Sequence, residues 1–229
     1  HRGHDHASGH GDLGRSIDPA GPGPATGVGV AVPGEHPVDW AHFHSMTGNT
    51  GLADAAHWHY QGPENACAVV AQGSIIESLT GHPFDQAAAV AYLESHGLYD
   101  PKHGTRLDQV GALFDLNGIA HTDGPADLST LADALAHGDK VLVGLDAHEI
   151  WNPEHDASGY PIDQVQSAGH AVWVTDIGQD AHGQWQVVVN DSGQPEGAGV
   201  CVGLADFLNA WHDYGNFTVI AHAGGAGHG

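Results

Sequence analysis

The sequence has very few basic side chains that stay charged at neutral pH. Only 5 of its 229 residues are Lys or Arg, against 28 Asp or Glu, so the formal net charge is −23. Binding to a nucleic-acid backbone depends on clustered Lys and Arg, and binding to an anionic membrane surface depends on the same groups. We therefore expect no nucleic-acid partner and no attachment to an anionic membrane.

Long apolar runs and cysteines are also scarce. No apolar run approaches the ~18 residues of a transmembrane helix, so no membrane span is predicted. The two cysteines, Cys67 and Cys201, cannot build a disulfide framework, and either one bridge or two free thiols remains open. The acidic surface favours an extracellular or cell-surface location. The start at His1 favours it too, because we interpret it as the loss of a leader. A required free thiol favours a reducing compartment instead.

Histidine, in contrast, is abundant. The chain has 21 His residues, whose unperturbed pKa of roughly 6.5 means that acidification would cancel most of the negative charge. Residues 1–36 combine His with Gly, Pro and Ala and have almost no large apolar side chains, so we predict a flexible tail there. We predict one domain over residues 37–222 and a flexible C-terminus over residues 223–229.

The spacing of apolar residues places helices early in the domain and strands later. The predicted helices are Ala66–Leu79, Phe84–His96, Arg106–Leu116, Leu128–His137 and Ala205–Trp211. The predicted strands are Lys140–Leu145, His170–Ile177, Gln184–Asn190 and Phe217–Ala221. This order favours an α+β domain over alternating βαβ units.

Cys67 lies at the start of the first apolar helix, where unpaired N–H groups and the helix dipole stabilise a thiolate. A small core residue is the ordinary alternative. Gln61, six residues earlier, can donate to an oxyanion that forms beside the sulfur. His170 opens one predicted strand and Asp191 closes the next, so antiparallel pairing would bring an imidazole and a carboxylate together. The adjacent Asn190 is an alternative partner for the imidazole.

These residues resemble the motif of papain-like cysteine peptidases, and in particular the C39-like group related to bacteriocin-processing peptidases. The resemblance extends over residues 58–221 and consists of Gln, Cys six residues later at a helix start, a His-Ala-Val strand and a strand that ends in Asn-Asp. The sequence departs from the group at two positions: Ala68 follows the Cys where many members have Gly, and Ser192 stands where Pro is common.

The resemblance implies a papain-like α+β fold with the Cys on an N-terminal helical half and the His and Asp on a C-terminal antiparallel sheet. It implies that Cys67 is the nucleophile, activated by His170, which later protonates the leaving amine. Asp191 would orient His170, and Gln61 would form the oxyanion hole with the backbone N–H of Cys67. The substrate would be a peptide or protein, and no cofactor is expected.

Other polar and aromatic residues have weaker functional interpretations. Asp146 and Glu149, after the first predicted strand, are candidates to line the substrate cleft and select a basic group, although a solvated loop is the favoured alternative. Trp151 and Trp173 are expected in the core.

Two histidine pairs have strand-like spacing that could suit Zn²⁺ or Ni²⁺. With so many histidines, chance pairing explains them, and no metal site is predicted. The pairs are His42/His44 and His57/His59. Two other functions compete with peptidase activity: a non-catalytic papain-like binding or assembly module at the cell surface, and a His-rich metal-binding protein.

Overall fold

The computed structural model of the protein describes residues 34–164 and 168–225. The helices in these ranges are α1 (Thr50–Ala55), α2 (Cys67–Thr80), α3 (Gln86–Ser95), α4 (Ala112–Leu116), α5 (Leu128–Ala136), α6 (Ala147–Trp151) and α7 (Leu204–His212). The strands are β1 (His36–Pro37), β2 (His44–Ser45), β3 (His121–Pro125), β4 (Lys140–Asp146), β5 (Gly169–Gln179), β6 (Trp185–Asn190), β7 (Val200–Gly203) and β8 (Phe217–Ala221).

The described strands form one antiparallel sheet. Their order is β1-β7-β6-β5-β4-β8-β3, and β2 pairs with β5 beside this path. At its centre, Leu145 of β4 is in register with His170 of β5, and Trp173 of β5 is in register with Asn190 of β6. Antiparallel pairing therefore brings the end of β4, the start of β5 and the end of β6 to the same edge of the sheet.

Helices cover both faces of this sheet, and side chains of the central strands alternate between the two faces. Val141 and Val143 of β4 pack in one core cluster with Phe207 of α7. Leu142 of β4 lies in a second cluster, with Ile75 of α2. Because both faces are buried, β4 and β5 appear in the sequence as continuous apolar runs. The predicted α+β class is confirmed.

α2 is the central helix on its face of the sheet. Every residue from Cys67 to Ile75 is buried. Ala71 packs toward the sheet cluster, whereas Val69 and Val70 pack in a third cluster with residues from α3 and α4. The helix is enclosed on several sides, so its first turn is held in a fixed position against the sheet.

Most predicted elements are found with ends that shift by at most two residues, but one predicted helix is wrong. Arg106–Leu116 is not continuous: a 3-10 turn at Leu107–Gln109 is followed by α4, with Gly111 between them. A Cβ at Gly111 would lie 2.5 Å from Cε1 of His121, so the chain opens at this glycine to admit the imidazole ring. The short elements α1, α6, β1, β2, β3 and β7 were not predicted because each has too few residues to show a period.

The predicted tail falls mostly outside the described residues and stays a prediction for residues 1–33. Its last two residues, Glu35 and His36, contact the domain: His36 pairs with Cys201 across β1 and β7. Gly34 packs against α6, since a Cβ there would lie 2.6 Å from the carbonyl oxygen of Trp151. In the described ranges, no helix has the length and apolar character needed to cross a bilayer.

Candidate active site

Cys67 is the first residue of α2, so its backbone N–H and its sulfur lie at a helix N-terminus. The first four N–H groups of a helix have no partner within it, and the preceding Ala66 provides no side-chain cap. This end of the helix dipole favours negative charge. Cys67 is buried, with 4% of its surface exposed. Cys67 and Cys201 are both free thiols, which excludes the bridge between them.

His170 and Asp191 meet at the edge of the sheet where β5 begins and β6 has just ended. Nε2 of His170 lies 2.6 Å from Oδ1 of Asp191. Both side chains are buried, and only 1% of His170 is exposed. Cys67 lies close enough to the imidazole to raise the pKa of His170 by hydrogen bonding and by its charge. Because Asp191 occupies Nε2, Nδ1 is the ring nitrogen left for the sulfur.

The two buried groups have strongly shifted pKa values. Burial by itself lowers the pKa of His170, but the charge of Asp191 and hydrogen bonds to Asp191 and Cys67 raise it to about 10. Burial by itself raises the pKa of Asp191, but the charge of His170 and hydrogen bonds from Glu35, His170 and Trp151 hold it well below its usual range. At neutral pH the pair is therefore an imidazolium and a carboxylate.

Three other groups bond the Asp191 carboxylate. Its Oδ2 accepts a hydrogen bond from Nε1 of Trp151 at 2.8 Å, and its Oδ1 accepts one from the backbone N–H of Gly193 at 2.8 Å. The Glu35 carboxyl group is also hydrogen-bonded to it. A buried carboxylate needs such donors to remain ionised, so these contacts fix both its charge and its position beside His170.

Gly193 leaves room for the imidazole. A Cβ at this position would lie 2.9 Å from Cε1 of His170 and 3.1 Å from Cζ2 of Trp151. The indole and imidazole rings contact each other, with their centroids 5.3 Å apart. The ring of His170 is thus confined between Trp151 and a backbone segment that approaches closely because it carries no side chain.

Gln61 is held so that the orientation of its amide is determined. Its Oε1 accepts a hydrogen bond from Oγ of Ser192 at 2.8 Å, and its Nε2 donates to the carbonyl oxygen of Glu64 at 2.8 Å. A carbonyl oxygen can only accept, so Nε2 must face Glu64. The amide has two N–H donors, and the second is left for another acceptor. Ser192, one of the two departures from the family pattern, fixes this arrangement.

Asn190, the alternative partner for His170, faces another part of the domain. Its Nδ2 donates to the carbonyl oxygen of Asp54 at 2.9 Å, and its Oδ1 accepts from the backbone N–H of Gly199 at 2.9 Å. Consecutive residues at the end of a strand point in opposite directions. For this reason Asp191, and not Asn190, contacts the imidazole.

Sequence comparisons give relatives of unknown activity. No family model matches the chain. Uncharacterized proteins of Mycobacterium bovis and Mycobacterium tuberculosis are 25% identical to it over 224 residues, which is 83% of this chain and 89% of each relative.

Structural comparison identifies the fold. A Bacillus anthracis protein described as a C39-like peptidase superposes with a TM-score of 0.54 at 14% identity, covering 79% of this chain and 97% of that one. Procathepsin B of Trypanosoma congolense superposes with a TM-score of 0.54 at 9% identity, covering 86% and 85%. The chain has a papain-like fold. The predicted fold is confirmed, with the Cys on the helical half and the His on the sheet.

Asp146 and Glu149 were predicted to line the substrate cleft or to lie in a solvated loop, and their positions in the structure fit neither prediction. They lie neither in a solvated loop nor in an open part of the papain-like cleft, because their exposed fractions are 0% and 1%. β4 continues through Asp146, whose Oδ1 then accepts a hydrogen bond from the backbone N–H of His148 at the start of α6. α6 packs against α7, where Glu149 bonds Asn209.

Three of the four paired histidines contact carboxylates. Nδ1 of His57 and Nε2 of His59 each lie 3.0 Å from an oxygen of Glu77 in α2. Nδ1 of His42 lies 2.9 Å from Asp39. The spacing of His57 and His59 does place both rings on one side of the chain, where they hold a side chain of the helix that begins with Cys67.

Three residues around His170 were not recognised from sequence. Glu35 falls within the predicted tail, where the scarcity of large apolar side chains gives no signal of burial. Trp151 was expected in the core, but its indole N–H contact with Asp191 depends on tertiary placement. Gly193 does have a signal, because a glycine two residues after the predicted Asp191 indicates a close backbone approach.

Proposed function

We propose that the protein is a cysteine-type hydrolase that cleaves peptide or amide bonds, with Cys67 as nucleophile. The observation that carries the proposal is the placement of His170, whose Nε2 lies 2.6 Å from Oδ1 of Asp191 and whose pKa is raised by both Asp191 and Cys67. A thiol at a helix N-terminus, a base beside it and a carboxylate that orients the base are the three parts of thiol activation.

In the first half of the reaction, the Cys67 sulfur attacks the carbonyl carbon of the substrate as a thiolate, because His170 already holds the proton as an imidazolium. The negative charge that develops on the carbonyl oxygen is stabilised by the backbone N–H of Cys67 and the second N–H of the Gln61 amide. His170 then donates its proton to the leaving amine as the C–N bond breaks. The product is an amine and a thioester of Cys67.

In the second half, His170 removes a proton from water, and the resulting hydroxide attacks the thioester carbonyl. The same two donors stabilise the second oxyanion. The C–S bond breaks, a carboxylic acid leaves, and the sulfur is released as a thiolate beside His170, which keeps the proton taken from water. Asp191 keeps the imidazole oriented throughout and stabilises its charged form.

The pH dependence of thiol alkylation tests the activation of Cys67. Iodoacetamide is suitable because it is small enough to reach a nearly buried sulfur. We expect the wild type to be alkylated at Cys67 well below the free-thiol pKa of roughly 8.5, and His170→Ala to lose this acid limb. Cys201→Ser is the matched control and should keep the profile, because burial raises the pKa of the Cys201 thiol. Alkylation of Cys67 only above pH 8 would refute the proposal.

Turnover is tested with a mixture of peptides from a digested proteome, analysed by mass spectrometry for new termini. We expect new termini with the wild type and none with Cys67→Ala. We expect Gln61→Ala to lower the rate by about 10²–10³-fold, the usual cost of an oxyanion donor. Activated alkylation without any new termini would favour the non-catalytic binding module.

A further inference from the structure

A second group of polar residues lies where β4 ends and α6 begins. It is the acidic cluster formed by Asp146, Glu149 and Asp213, in which one oxygen of each side chain lies within 4.8 Å of one oxygen of the others. Asp146 and Glu149 are buried, and Asp213, directly after α7, is partly buried. Asp163 adds a fourth negative charge close to all three.

Two oxygens of the cluster are buried without a hydrogen-bond donor. Asp146 uses Oδ1 to accept from the backbone N–H of His148, and its Oδ2 receives no hydrogen bond in the described residues. Glu149 bonds Asn209 through Oε2, its Oε1 receives no hydrogen bond from an N–H or hydroxyl group in these residues, and its carboxyl group contacts that of Asp213. A buried carboxylate oxygen without a donor loses its hydration with nothing in return. Such oxygens need either a proton or a cation.

No Lys or Arg side chain is bonded to Asp146 or Glu149 in the described part of the chain. Of the three Lys and Arg residues there, Lys140 binds Asp54 at 2.9 Å, Arg106 binds Asp108 at 2.8 Å, and Lys102 lies in the turn that follows Asp100. Burial, and then Asp213, raise the pKa of Glu149 to about 9. At neutral pH Glu149 therefore retains a proton unless a cation displaces it, and Asp146 has neither a Lys nor an Arg partner in the described residues.

We propose that Asp146, Glu149 and Asp213 bind a Ca²⁺ ion. Carboxylate oxygens are ligands of hard cations, and Ca²⁺ binds them at roughly 2.3–2.6 Å, so two ligands on opposite sides of the ion are about 5 Å apart. The ligand oxygens of the three side chains all lie within 4.8 Å of one another, which fits that spacing. Zn²⁺ is less suitable because the site has no His nitrogen or Cys sulfur.

The cation would connect three parts of the structure. It would bind the end of β4, the middle of α6 and the residue after α7, whereas the end of α6 carries Trp151, which donates to Asp191. We therefore expect Ca²⁺ to stabilise the packing of α6. This proposal does not depend on the proposed peptidase activity.

Calorimetric titration and thermal unfolding of the full chain test it. The protein is stripped with EDTA, dialysed into buffer with about 150 mM NaCl to screen non-specific attraction, and titrated with CaCl₂. We expect one Ca²⁺ per chain and a Tm that rises by about 3 °C or more in about 1 mM Ca²⁺. The His-rich segment does not interfere, because imidazole is a poor ligand for Ca²⁺.

Variants locate the binding. Glu149→Gln removes one anionic ligand and should weaken Ca²⁺ binding by about tenfold or more, and Asp213→Asn provides a second test if Glu149→Gln does not fold. Asp133→Asn and Glu94→Gln, at exposed positions on α5 and α3, are the matched controls and should bind as the wild type does.

Either of two results would overturn the proposal. One is a wild-type protein whose unfolding does not respond to Ca²⁺ while Glu149→Gln raises the Tm in EDTA, since protons alone would then neutralise the cluster. The other is a Ca²⁺ response that is the same in Glu149→Gln as in the wild type.

Discussion

Glu35 donates a hydrogen bond from its carboxyl group to the carboxylate of Asp191. Burial first, and then the negative charge of Asp191, raise the pKa of Glu35 well above its usual value, whereas the pKa of Asp191 is lowered, so the proton between the two carboxyl groups resides on Glu35. The residue directly before β1 thus helps to keep Asp191 ionised next to His170. An amide can replace a neutral acid as donor, whereas an apolar side chain cannot.

This contact predicts different effects of two substitutions of similar size. Glu35→Gln keeps an N–H donor and should change the free energy of unfolding by less than about 1 kcal/mol. Glu35→Met removes the donor and should lower it by about 1–3 kcal/mol, the usual cost of a charged group that loses a hydrogen bond. Urea unfolding at pH 7 measures both. Equal effects would show that Glu35 does not act as a donor.

Trp151 and Trp173 offer a matched comparison. Nε1 of Trp151 donates to Oδ2 of Asp191 at 2.8 Å, whereas Nε1 of the buried Trp173 has no acceptor among the described residues. Trp→Phe removes a similar volume at both sites. We expect Trp151→Phe to lower the free energy of unfolding by about 1.5–3 kcal/mol more than Trp173→Phe, because only the first removes a hydrogen bond to a charged group. An equal loss would mean that packing alone determines the role of Trp151.

The sequence was sufficient to predict the helices and strands that carry Cys67 and His170, because their apolar periods are long and regular. It also placed Asp191 correctly relative to His170, since two consecutive strands joined by a short loop form an antiparallel pair. Two of the residues that surround this pair could not be predicted from the sequence. Glu35 and Trp151 reach it from segments far apart in the chain, and no local pattern encodes such a contact.

The burial of Asp146 and Glu149 could not be predicted for a similar reason. A short polar segment after a strand is usually a solvated loop, and here it forms α6, a helix too short to show a period. Its burial depends on α7, which follows more than 50 residues later in the chain. Three acids separated in this way give no sign in the sequence that they meet.

Gly193→Ala tests how tightly the imidazole is confined. The added Cβ would be 2.9 Å from Cε1 of His170, so the ring or the backbone has to move. We expect a loss of about 1–3 kcal/mol in the free energy of unfolding, as for other overpacked sites, and slower alkylation of Cys67 at pH 6. Gly203→Ala is the control, because its Cβ would contact nothing closer than 3.7 Å. Unchanged alkylation in Gly193→Ala would show that His170 tolerates displacement.

The pair of His170 and Asp191 also predicts a pH dependence of stability. The pKa of His170 is raised from 6.5 to about 10 in the folded protein, so its contribution is complete below pH 6.5 and is lost as the pH rises through about 10. The pKa of Asp191 is lowered from 3.8, so its contribution is complete above that pH and is lost as the pH falls below it. The pair should therefore stabilise the fold most between about pH 4 and 6.5.

Asp191→Asn isolates this effect. The difference in unfolding free energy between the wild type and Asp191→Asn should fall as the pH rises from 6.5 to 9.5, with a slope of up to about 1.4 kcal/mol per pH unit for one proton. Glu35, whose pKa is raised partly by Asp191, adds to the loss in the same direction. Asp133→Asn, at an exposed position, should give a constant difference over this range. A constant difference for Asp191→Asn as well would mean that the carboxylate does not hold His170 in its charged form, and the imidazole would then have to be activated by another group.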